Sequence, residues 1–425
     1  MAPGEKGRLT CGNVGNRMFA RPRAGGKWEV RIVKLPSSSR RGFLKYFSLS
    51  AIGAFIAACL PQNAPSASGG ASSSPAAGVG GGVASPAATI NWKIQSGWAG
   101  NDIFQEMFID WSKKVDEMSG GRLKIETLQV NSVTNTAAAI DAVSSGTLDG
   151  AHHVAVYYFG KDHSLSLFGT GPMMGLTGQQ WLSWFYYGGG FELYQDLVQR
   201  KLKLNVVSFL HMPMQCQPLG WFKDEIKSPD DFKGMKFRTV GLATGVYQGM
   251  GASVISVPGA EVASALDRGT IDAAEFNNTT SDIAYGMPDV RKVMMAQSYH
   301  QPGEALLIDI NKARWDALPK DLQAIVKYSI FAQSADGEWK QISKNADDYA
   351  KLVSRGIKIV QTPKVVLEAQ LKAWDNILVT ESKDNPEFVK IIDSQKKWAQ
   401  KVYPWTEKIN IQTPDPVSYN WFIKK

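Results

Sequence analysis

An arginine and a glutamate stand where two predicted strands end. The stretch GMKFRTVG, residues 234–241, alternates apolar and basic side chains, which predicts a strand ending at Arg238. The stretch IDAAEF, residues 271–276, predicts a second strand that ends at Glu275 and Phe276. Ligands of open parallel sheets lie outside the carboxyl ends of the strands. Both side chains are therefore expected at one wall of a binding cleft.

The chemistry of Arg238 indicates an anionic ligand. A guanidinium stays charged at any physiological pH and presents two parallel donors to a planar carboxylate. We therefore predict that Arg238 binds an organic anion. On the strand pattern alone, a surface arginine or an interlobe salt bridge is the alternative.

The elements that position these residues form two α/β units. Each unit predicts the order strand, helix, strand, helix, strand, which favours parallel sheets with right-handed crossovers. The predicted strands lie at 92–97, 122–130, 148–154, 235–241, 253–258 and 271–276, and the predicted helices at 102–118, 134–145, 243–250 and 260–268.

The two units share a short internal repeat. The stretch AVSSGTLDGAH, residues 142–152, aligns with ALDRGTIDAAE, residues 265–275. Gly146 and Gly269 are expected to end a helix just before a core strand. His152 is the counterpart of Glu275. The repeat predicts an α/β fold of two similar lobes around a cleft. The alternative is that the two stretches are alike only because each independently forms the same kind of turn.

The N-terminal region resembles an export leader. Arg40 and Arg41 form a twin-arginine box, and an apolar run follows at 46–58, which is too short to span a bilayer comfortably. The run ends in Ile-Ala-Ala-Cys, so that Cys59 is expected to carry a lipid; a short buried helix with a structural cysteine is the alternative. Met18 is an alternative start.

The predicted domains follow from this leader. Residues 1–58 are the twin-arginine lipoprotein leader, and 59–90 are the lipidated cysteine with a flexible tether rich in Ala, Ser, Gly and Pro. Residues 91–425 are the solute-binding body. We expect the protein to leave the cytoplasm by the twin-arginine route, and the lipid to hold it at a membrane in the periplasm or at the cell surface.

Charge and motif content exclude several classes. Residues 1–58 carry 11 Lys or Arg and 2 Asp or Glu, whereas the rest of the chain carries 36 Lys or Arg and 37 Asp or Glu. The excess of basic residues therefore lies in the leader, and no nucleic-acid partner is expected for the body. Three cysteines without a CxxC pair do not indicate a disulfide framework, and Cys216 is expected to be buried. No G-x-S-x-G, H-E-x-x-H or P-loop motif occurs. We therefore predict that the chain is not an enzyme; Glu275 beside Arg238 would have a lowered pKa and be a weak base.

The strings FKGMKFRTVG and MGASVISVPGAEVASALDRGTIDAAEF resemble the extracytoplasmic solute receptors of TRAP transporters, the DctP-type proteins. The resemblance covers nearly all of 91–425. GTLDGAHHVAVYYFGKD, AWDNI and PEFVKIIDSQKKWAQ are most similar to the branch that binds α-keto acids and related monocarboxylates. It implies a two-lobed periplasmic-binding-protein fold, each lobe a mostly parallel sheet flanked by helices, with a long C-terminal helical region. It also implies capture of a small organic acid by hinge closure and delivery to TRAP membrane permease subunits.

The resemblance implies roles for five residues. Arg238 would clamp the ligand carboxylate, and Gln217 would contact the ligand or a nearby ion. Glu275 would bind a metal ion beside the substrate, and Phe276 stands where the branch usually has Trp. Gln301 replaces an acid of the branch, which keeps an oxygen but removes a charge. Binding of Na⁺ or Ca²⁺ by Gln217, Glu275, Gln301 and the Phe276 backbone is therefore left open; no cofactor is required.

Several further side chains are candidates for the cleft. The hydroxyl of Tyr157 or Tyr158 is expected to reach the ligand, with the other tyrosine in the core. Trp98 would cover the apolar end of the ligand or pack in the core. His152 and His153 are expected to be satisfied core or surface residues.

The resemblance also predicts the boundaries of the two lobes. Lobe 1 covers about 91–212 plus a segment after 302, and lobe 2 about 213–301 plus the C-terminal helices. A helix predicted at 385–402 carries an apolar stripe. The resemblance implies that a helix near this position helps to form a dimer by exchange between subunits. The alternative is that the stripe packs on its own lobe, so a homodimer is left open. A sensory receptor that signals to a membrane kinase and a lipid-anchored hydrolase are the alternative functions.

Overall fold

The computed structural model describes residues 88–409 and the backbone of two strands near the N-terminus. These strands, β1 (Asn16–Pro22) and β2 (Trp28–Lys34), pair antiparallel in a unit of their own. The sequence analysis predicts no strand there. The twin-arginine box, Cys59 and nearly all of the predicted tether lie outside the described residues.

The body contains eleven strands and twelve α-helices within 88–409. The strands are β3 (Ile90–Ser96), β4 (Leu123–Leu128), β5 (Gly150–His153), β6 (Val206–Met214), β7 (Gly220–Phe222), β8 (Lys236–Arg238), β9 (Ser253–Ile255), β10 (Ala273–Ala274), β11 (Val293–Met295), β12 (Glu304–Asn311) and β13 (Lys358–Val360). The helices are α1 (Ile103–Ser119), α2 (Ala139–Ser145), α3 (Gly178–Tyr187), α4 (Gly190–Gln195), α5 (Ala243–Gly249), α6 (Val262–Asp267), α7 (Thr279–Ala284), α8 (Met287–Val290), α9 (Lys312–Asp316), α10 (Lys320–Ser354), α11 (Lys364–Asp384) and α12 (Pro386–Ile409). No helix among the described residues is long and apolar enough to cross a membrane.

Two sheets define two lobes, as predicted. The first has the strand order β4-β3-β5-β12-β6 and the second the order β13-β11-β7-β10-β8-β9. Strands β3, β4 and β5 run parallel, as do β8, β9 and β10. Each sheet is mostly parallel, as predicted, with one exception: β12 in the first sheet and β7 in the second run antiparallel to both neighbours. Strand β7 is the first strand after the chain leaves β6 of the first sheet, and β12 is the first strand after it leaves β11 of the second.

The internal repeat corresponds to matching structure in the two lobes. Gly146 follows α2 and Gly269 closely follows α6, with φ of 82° and 71° in the left-handed region that favours glycine. The strands that come next, β5 and β10, each pair in parallel with a strand of their own lobe. The prediction of two related α/β units is confirmed.

The C-terminal helices bridge and cover the lobes. Helix α10 contacts α1 and β6 of the first lobe and α7 of the second, whereas α11 packs on α5. Helix α12 does not pack on the second lobe as expected: Gln395 donates a hydrogen bond to the Leu167 carbonyl, and Trp184 donates one to Ser394. Phe388 and Ile391 are buried in the core of the first lobe, so this part of the predicted stripe faces its own chain.

Candidate functional site

The predicted cation stands at the end of β8. Strand β8 pairs in parallel with β10, with Arg238 opposite Ala274, so Arg238 and Glu275 lie at the same edge of the sheet. The Arg238 side chain is only 2% exposed. A surface arginine is thereby excluded, and its carboxylate partner, Glu275, belongs to the same lobe rather than to the other.

Three hydrogen bonds fix the Arg238 guanidinium. Its Nε donates to the Val257 carbonyl at 3.0 Å, and its Nη1 donates to the Glu275 carbonyl at 3.2 Å and to Glu275 Oε1 at 2.9 Å. In the part of the chain that the structure describes, Nη2 has no hydrogen-bond partner. The guanidinium is therefore oriented by the protein and keeps donor capacity for a ligand.

Two neighbouring cavities border Arg238. The outer cavity has a volume of about 720 Å³, and the inner cavity about 20 Å³. Seven of the predicted site residues line the inner cavity: Trp98, Tyr157, Gln217, Arg238, Glu275, Phe276 and Gln301. Trp98, Tyr157, Arg238 and Phe276 also line the outer cavity. Trp98 and Tyr157 come from the first lobe, so both lobes contribute to both cavities.

The two adjacent tyrosines have different surroundings. Tyr157 lines both cavities, and burial raises the pKa of its phenol, which therefore stays protonated and can donate. The Tyr158 hydroxyl instead lies 2.6 Å from His153 Nε2, in a buried network with Asp309. Tyr158 lines neither cavity, so it is not a ligand-binding residue as predicted but the tyrosine of the pair that packs in the core. The two side chains differ in direction because they lie in a short 3₁₀ turn over Ala155–Tyr158.

Glu304 is the site residue that the sequence analysis missed. It is the first residue of β12, it lines the inner cavity, and it accepts a hydrogen bond from Gln301 Nε2. Its other carboxyl oxygen is buried and has no partner among the described residues. In the sequence Glu304 is an acid three residues after Gln301 and precedes four apolar residues, a pattern that does not by itself indicate a site residue.

Burial dominates the electrostatics of the inner cavity. Burial raises the pKa of Glu275 even though Arg238 lowers it, which corrects the expectation of a lowered pKa. Burial and the charge of Glu275 raise the pKa of Glu304 well above its usual range. His300 lies next to this group, and burial together with Arg238 lowers its pKa to about 3, so it is neutral. Two buried carboxyl groups, Glu275 and Glu304, thus line the inner cavity, and the fixed cation, Arg238, pairs with Glu275.

The inner cavity is suited to a small hard cation. Its volume of about 20 Å³ is close to that needed by a single water molecule. Side-chain oxygens of Gln217, Glu275, Gln301 and Glu304 border it, and Na⁺ and Ca²⁺ prefer oxygen ligands. Within 88–409 no group of three His, Cys, Asp or Glu side chains could hold a metal ion. The inner cavity is instead lined by amide and carboxyl side chains, a donor chemistry that would suit a hard cation if the carboxyl groups ionise.

The lobes are in contact beside the cavities. The Ala99 amide donates to the Tyr285 hydroxyl at 3.2 Å, and Asn101 Nδ2 donates to the Ala284 carbonyl at 3.1 Å. Ser281 Oγ donates to Asp102 Oδ1 at 3.1 Å. The loop after β3 is thus hydrogen-bonded to α7 of the second lobe and to the residue that follows it.

The remaining candidates lie outside the site. His153 lies 2.9 Å from Asp309 and His152 lies 3.1 Å from His211, so both are core residues as predicted. His152 is only partly satisfied, because its Nδ1 is buried without a partner among the described residues. Cys216 is exposed rather than buried, because Gln215 and Cys216 lie at the surface where the chain leaves β6, although the Cys216 Sγ contacts the Ser298 carbonyl.

Comparisons with known proteins agree with this architecture. Residues 95–383 match the family DctP, bacterial extracellular solute-binding protein, family 7. A monocarboxylate 2-oxoacid-binding periplasmic protein of Nostoc sp. strain PCC 7120 is 30% identical over 319 residues, which cover 74% of this chain and 86% of the relative.

Solved structures share the fold. A TRAP periplasmic solute-binding protein from Pseudoalteromonas atlantica with bound sodium and pyruvate is 31% identical, with a TM-score of 0.70, covering 76% of this chain and 97% of that one. A TRAP transporter solute-binding protein from Bordetella bronchiseptica, a mixed-occupancy dimer with calcium and picolinate, is 27% identical, with a TM-score of 0.72, covering 76% and 95%. Together with the family match, these likenesses show that the chain belongs to the DctP family of bacterial extracellular solute-binding proteins.

Proposed function

We propose that this protein is the extracytoplasmic solute receptor of a TRAP transporter and captures a small organic acid, a 2-oxo acid or a related monocarboxylate. The observation that carries the proposal is the geometry of Arg238, which is buried, oriented by three hydrogen bonds and free at Nη2 beside two cavities. The ligands named for the relatives from Nostoc, Pseudoalteromonas and Bordetella, 2-oxoacids, pyruvate and picolinate, all carry one carboxylate.

The ligand is held between residues of both lobes. Its carboxylate pairs with the free side of the Arg238 guanidinium, and the protonated Tyr157 hydroxyl donates to a carboxylate or keto oxygen. Trp98 and Phe276 cover the carbon atoms. Closure of the lobes by a hinge motion excludes water, and the lower local dielectric strengthens the charge pair.

A cation, Na⁺ or Ca²⁺, completes the site in the inner cavity. Gln217, Glu275, Gln301 and Glu304, with the backbone oxygen of Phe276, are the residues that would hold it. The cation supplies positive charge next to the acid, and the protein oxygens keep it in position.

Export and anchoring are part of the same proposal. The twin-arginine box would direct export, Cys59 would carry the lipid, and the uncharged tether would let the body reach the TRAP permease subunits in the membrane. The body would then work in the periplasm or at the cell surface. Adjacent genes for small and large permease subunits would favour transport over sensory signalling.

The test is isothermal titration calorimetry of pyruvate with Arg238 variants. Arg238→Ala should weaken binding by a factor of roughly 30 to 3,000, which corresponds to about 2–5 kcal/mol for a desolvated charge pair. Arg238→Lys keeps the charge but loses the planar fork, so an intermediate loss is expected. Arg268→Ala, at an exposed arginine of the same lobe, serves as the control. Near-unchanged affinity in a folded Arg238→Ala protein would refute the proposal.

A further inference from the structure

We infer that the last turns of α12 form a surface that docks on an anionic phospholipid membrane. This surface, the helix end, consists of residues 396–409. Trp405 and Ile409 supply its apolar part. Lys401 and Lys408 supply its positive charge. The inference goes beyond the proposed function, because it concerns where the body docks and not what the cleft binds.

The helix end is the exposed part of α12. Gln395 is the last buried residue of the helix, and none of the residues 396–409 is buried. Trp405 is 64% exposed and Ile409 is 61% exposed. Two large apolar side chains are therefore left without cover by the described part of the chain.

These two side chains continue an apolar stripe. Trp398, Val402, Trp405 and Ile409 are spaced by four, three and four residues, which places them on one face of a helix. The first two still pack partly on the core of the first lobe, and the last two lie beyond that contact. The stripe therefore meets a membrane with the end of the helix and not along its whole length.

Lysines flank the exposed part of the stripe. Lys401 lies four residues before Trp405 and Lys408 three residues after it, so both are within about 60° of it around the helix. Neither lysine forms an ion pair with a described residue, although Lys401 Nζ lies 4.8 Å from the centre of the Trp398 ring. Glu407, the one acid of the helix end, lies about 160° from Trp405. The acid therefore does not face the lipid.

Other acids of the protein lie near the start of the helix end. Lys397 borders an open depression together with Glu192, Asp196 and Asp393, so its charge is partly balanced by the protein. Lys401 and Lys408 do not line this depression. The charge that remains free for a partner is therefore next to Trp405 and Ile409.

Charge complementarity selects a lipid surface as the partner. Tryptophan beside lysines is typical of helices that lie in the membrane interface, where the ring enters the lipid and the ammonium groups reach the headgroups. A second copy of the chain is the competing partner. A symmetric contact would bring the same patch of both copies together, so that their lysines would repel each other.

The helix end would act together with the proposed lipid at Cys59. A membrane contact by lipid is strengthened by a second, basic contact, and docking would restrict the body that the tether otherwise leaves free to rotate. The stretch 410–425 has a similar composition, with three aromatic residues and two lysines against one acid.

A local fluorescent probe tests the inference on the full chain. The three cysteines are replaced by serine, which also prevents lipidation, and Ile409→Cys carries an environment-sensitive nitrobenzoxadiazole label. Vesicles of phosphatidylcholine with phosphatidylglycerol should raise its emission severalfold, whereas phosphatidylcholine alone should have little effect. The same label at Ser354→Cys, exposed at the end of α10, should not respond. Because the label is local, vesicle binding by the basic leader does not by itself produce the signal.

Variants separate the contributions of charge and of apolar contact. A lysine near an anionic surface contributes about fivefold to binding, so Lys401→Gln combined with Lys408→Gln should raise the vesicle concentration at half-maximal response on the order of 25-fold. Lys223→Gln, at an exposed lysine of the second lobe without an ion pair among the described residues, should have no effect. Trp405→Ala should weaken the response severalfold, whereas Tyr349→Ala, at an exposed aromatic residue of α10, should not.

Three results would overturn the inference: no response of the label at residue 409 to anionic vesicles, an equal response of the label at residue 354, or a response that the lysine substitutions leave unchanged. It is also overturned if the label at residue 409 is shielded without vesicles and light scattering shows a dimer that Trp405→Ala dissociates, because a second copy then covers the helix end. None of these results affects the receptor proposal, which the titration with pyruvate tests separately.

Discussion

At the scale of single residues, the charge balance of the inner cavity decides which cation it favours. Arg238 contributes one positive charge, and Glu275 and Glu304 would contribute two negative charges where the proposed cation ionises both against their raised pKa values. A bound ligand carboxylate adds a third negative charge. A divalent cation then leaves the buried group close to neutral, whereas Na⁺ leaves one negative charge uncompensated. Buried net charge is strongly unfavourable, so the composition of this site favours Ca²⁺ over Na⁺.

Replacement of Glu304 tests this balance. In Glu304→Gln, the rise in melting temperature produced by CaCl₂ should shrink by more than half relative to wild type, because one anionic ligand is lost. Without added cation at pH 8, the variant should be at least as stable as wild type, because the raised pKa of buried Glu304 makes its ionisation unfavourable in the folded state. Thermal denaturation in CaCl₂ and in NaCl at equal ionic strength measures both effects.

An exposed carboxylate far from the inner cavity provides the control. Glu192→Gln removes an exposed carboxylate on α4 and should leave the calcium response unchanged. A full calcium response in Glu304→Gln would mean that Glu304 does not hold the cation.

The site could be predicted to the extent that strand ends and motif positions specify it. Arg238 and Glu275 end or follow parallel strands, and the pattern of the sequence is enough to place them at one edge. Tyr157 and Tyr158 could not be distinguished, because a 3₁₀ turn has no apolar alternation that indicates which side chain faces the cavity. Glu304 could not be found by pattern, since nothing in the sequence shows that the acid starting β12 points between the lobes.

At the scale of elements, the helices with clear start and stop signals were the most predictable. Predicted and observed limits of α1, α5 and α12 agree closely at their N-termini. Strand β12 was missed because all of its residues are buried, which removes the alternation of a half-buried strand. Strand β10, only Ala273–Ala274, shows that a predicted strand of six residues can shorten to two where the chain turns into the site.

The start of α12 provides a prediction at this scale. Asn385 Oδ1 accepts a hydrogen bond from the Phe388 amide at 3.0 Å, and Asn385 Nδ2 donates to Asp162 Oδ1 at 3.0 Å. Asn385→Ala should therefore lower the free energy of unfolding by about 1–2 kcal/mol, as expected for a lost helix cap with a further side-chain contact. Urea denaturation followed by circular dichroism measures the loss.

An asparagine within a helix is the matched control. Asn376 is exposed in the interior of α11, where alanine has the higher helix propensity. Asn376→Ala should leave the stability unchanged or slightly increased. Equal effects of the two substitutions would contradict a capping role for Asn385.

At the scale of the whole molecule, buried carboxyl groups lie where the lobes meet. Burial raises the pKa of Asp102 to about 6, although the Phe104 amide and Ser281 donate hydrogen bonds to it. Burial raises the pKa of Asp282 to about 7, although Trp221 donates to it. Both groups bind protons more tightly in the folded protein than in the unfolded chain. Their favourable contribution is complete below their unfolded pKa values and is lost as the pH rises through about 6 and 7.

The ligand-free protein should therefore be more stable at pH 5 than at pH 8, and Asp102→Asn tests one part of that difference. Asparagine keeps an acceptor for the Phe104 amide and Ser281 but does not titrate. For a shift from 3.8 to about 6, the contribution is on the order of 3 kcal/mol. Because pH 5 lies above the unfolded pKa of 3.8, wild type has already lost about half of this contribution there. Urea denaturation should therefore show that the stability of Asp102→Asn relative to wild type increases by about 1.4 kcal/mol between pH 5 and pH 8. Asp375→Asn, at an exposed position of α11, should follow the wild-type curve. If Asp102→Asn loses as much stability between the two pH values as wild type does, ionisation of Asp102 does not oppose the contact between the lobes.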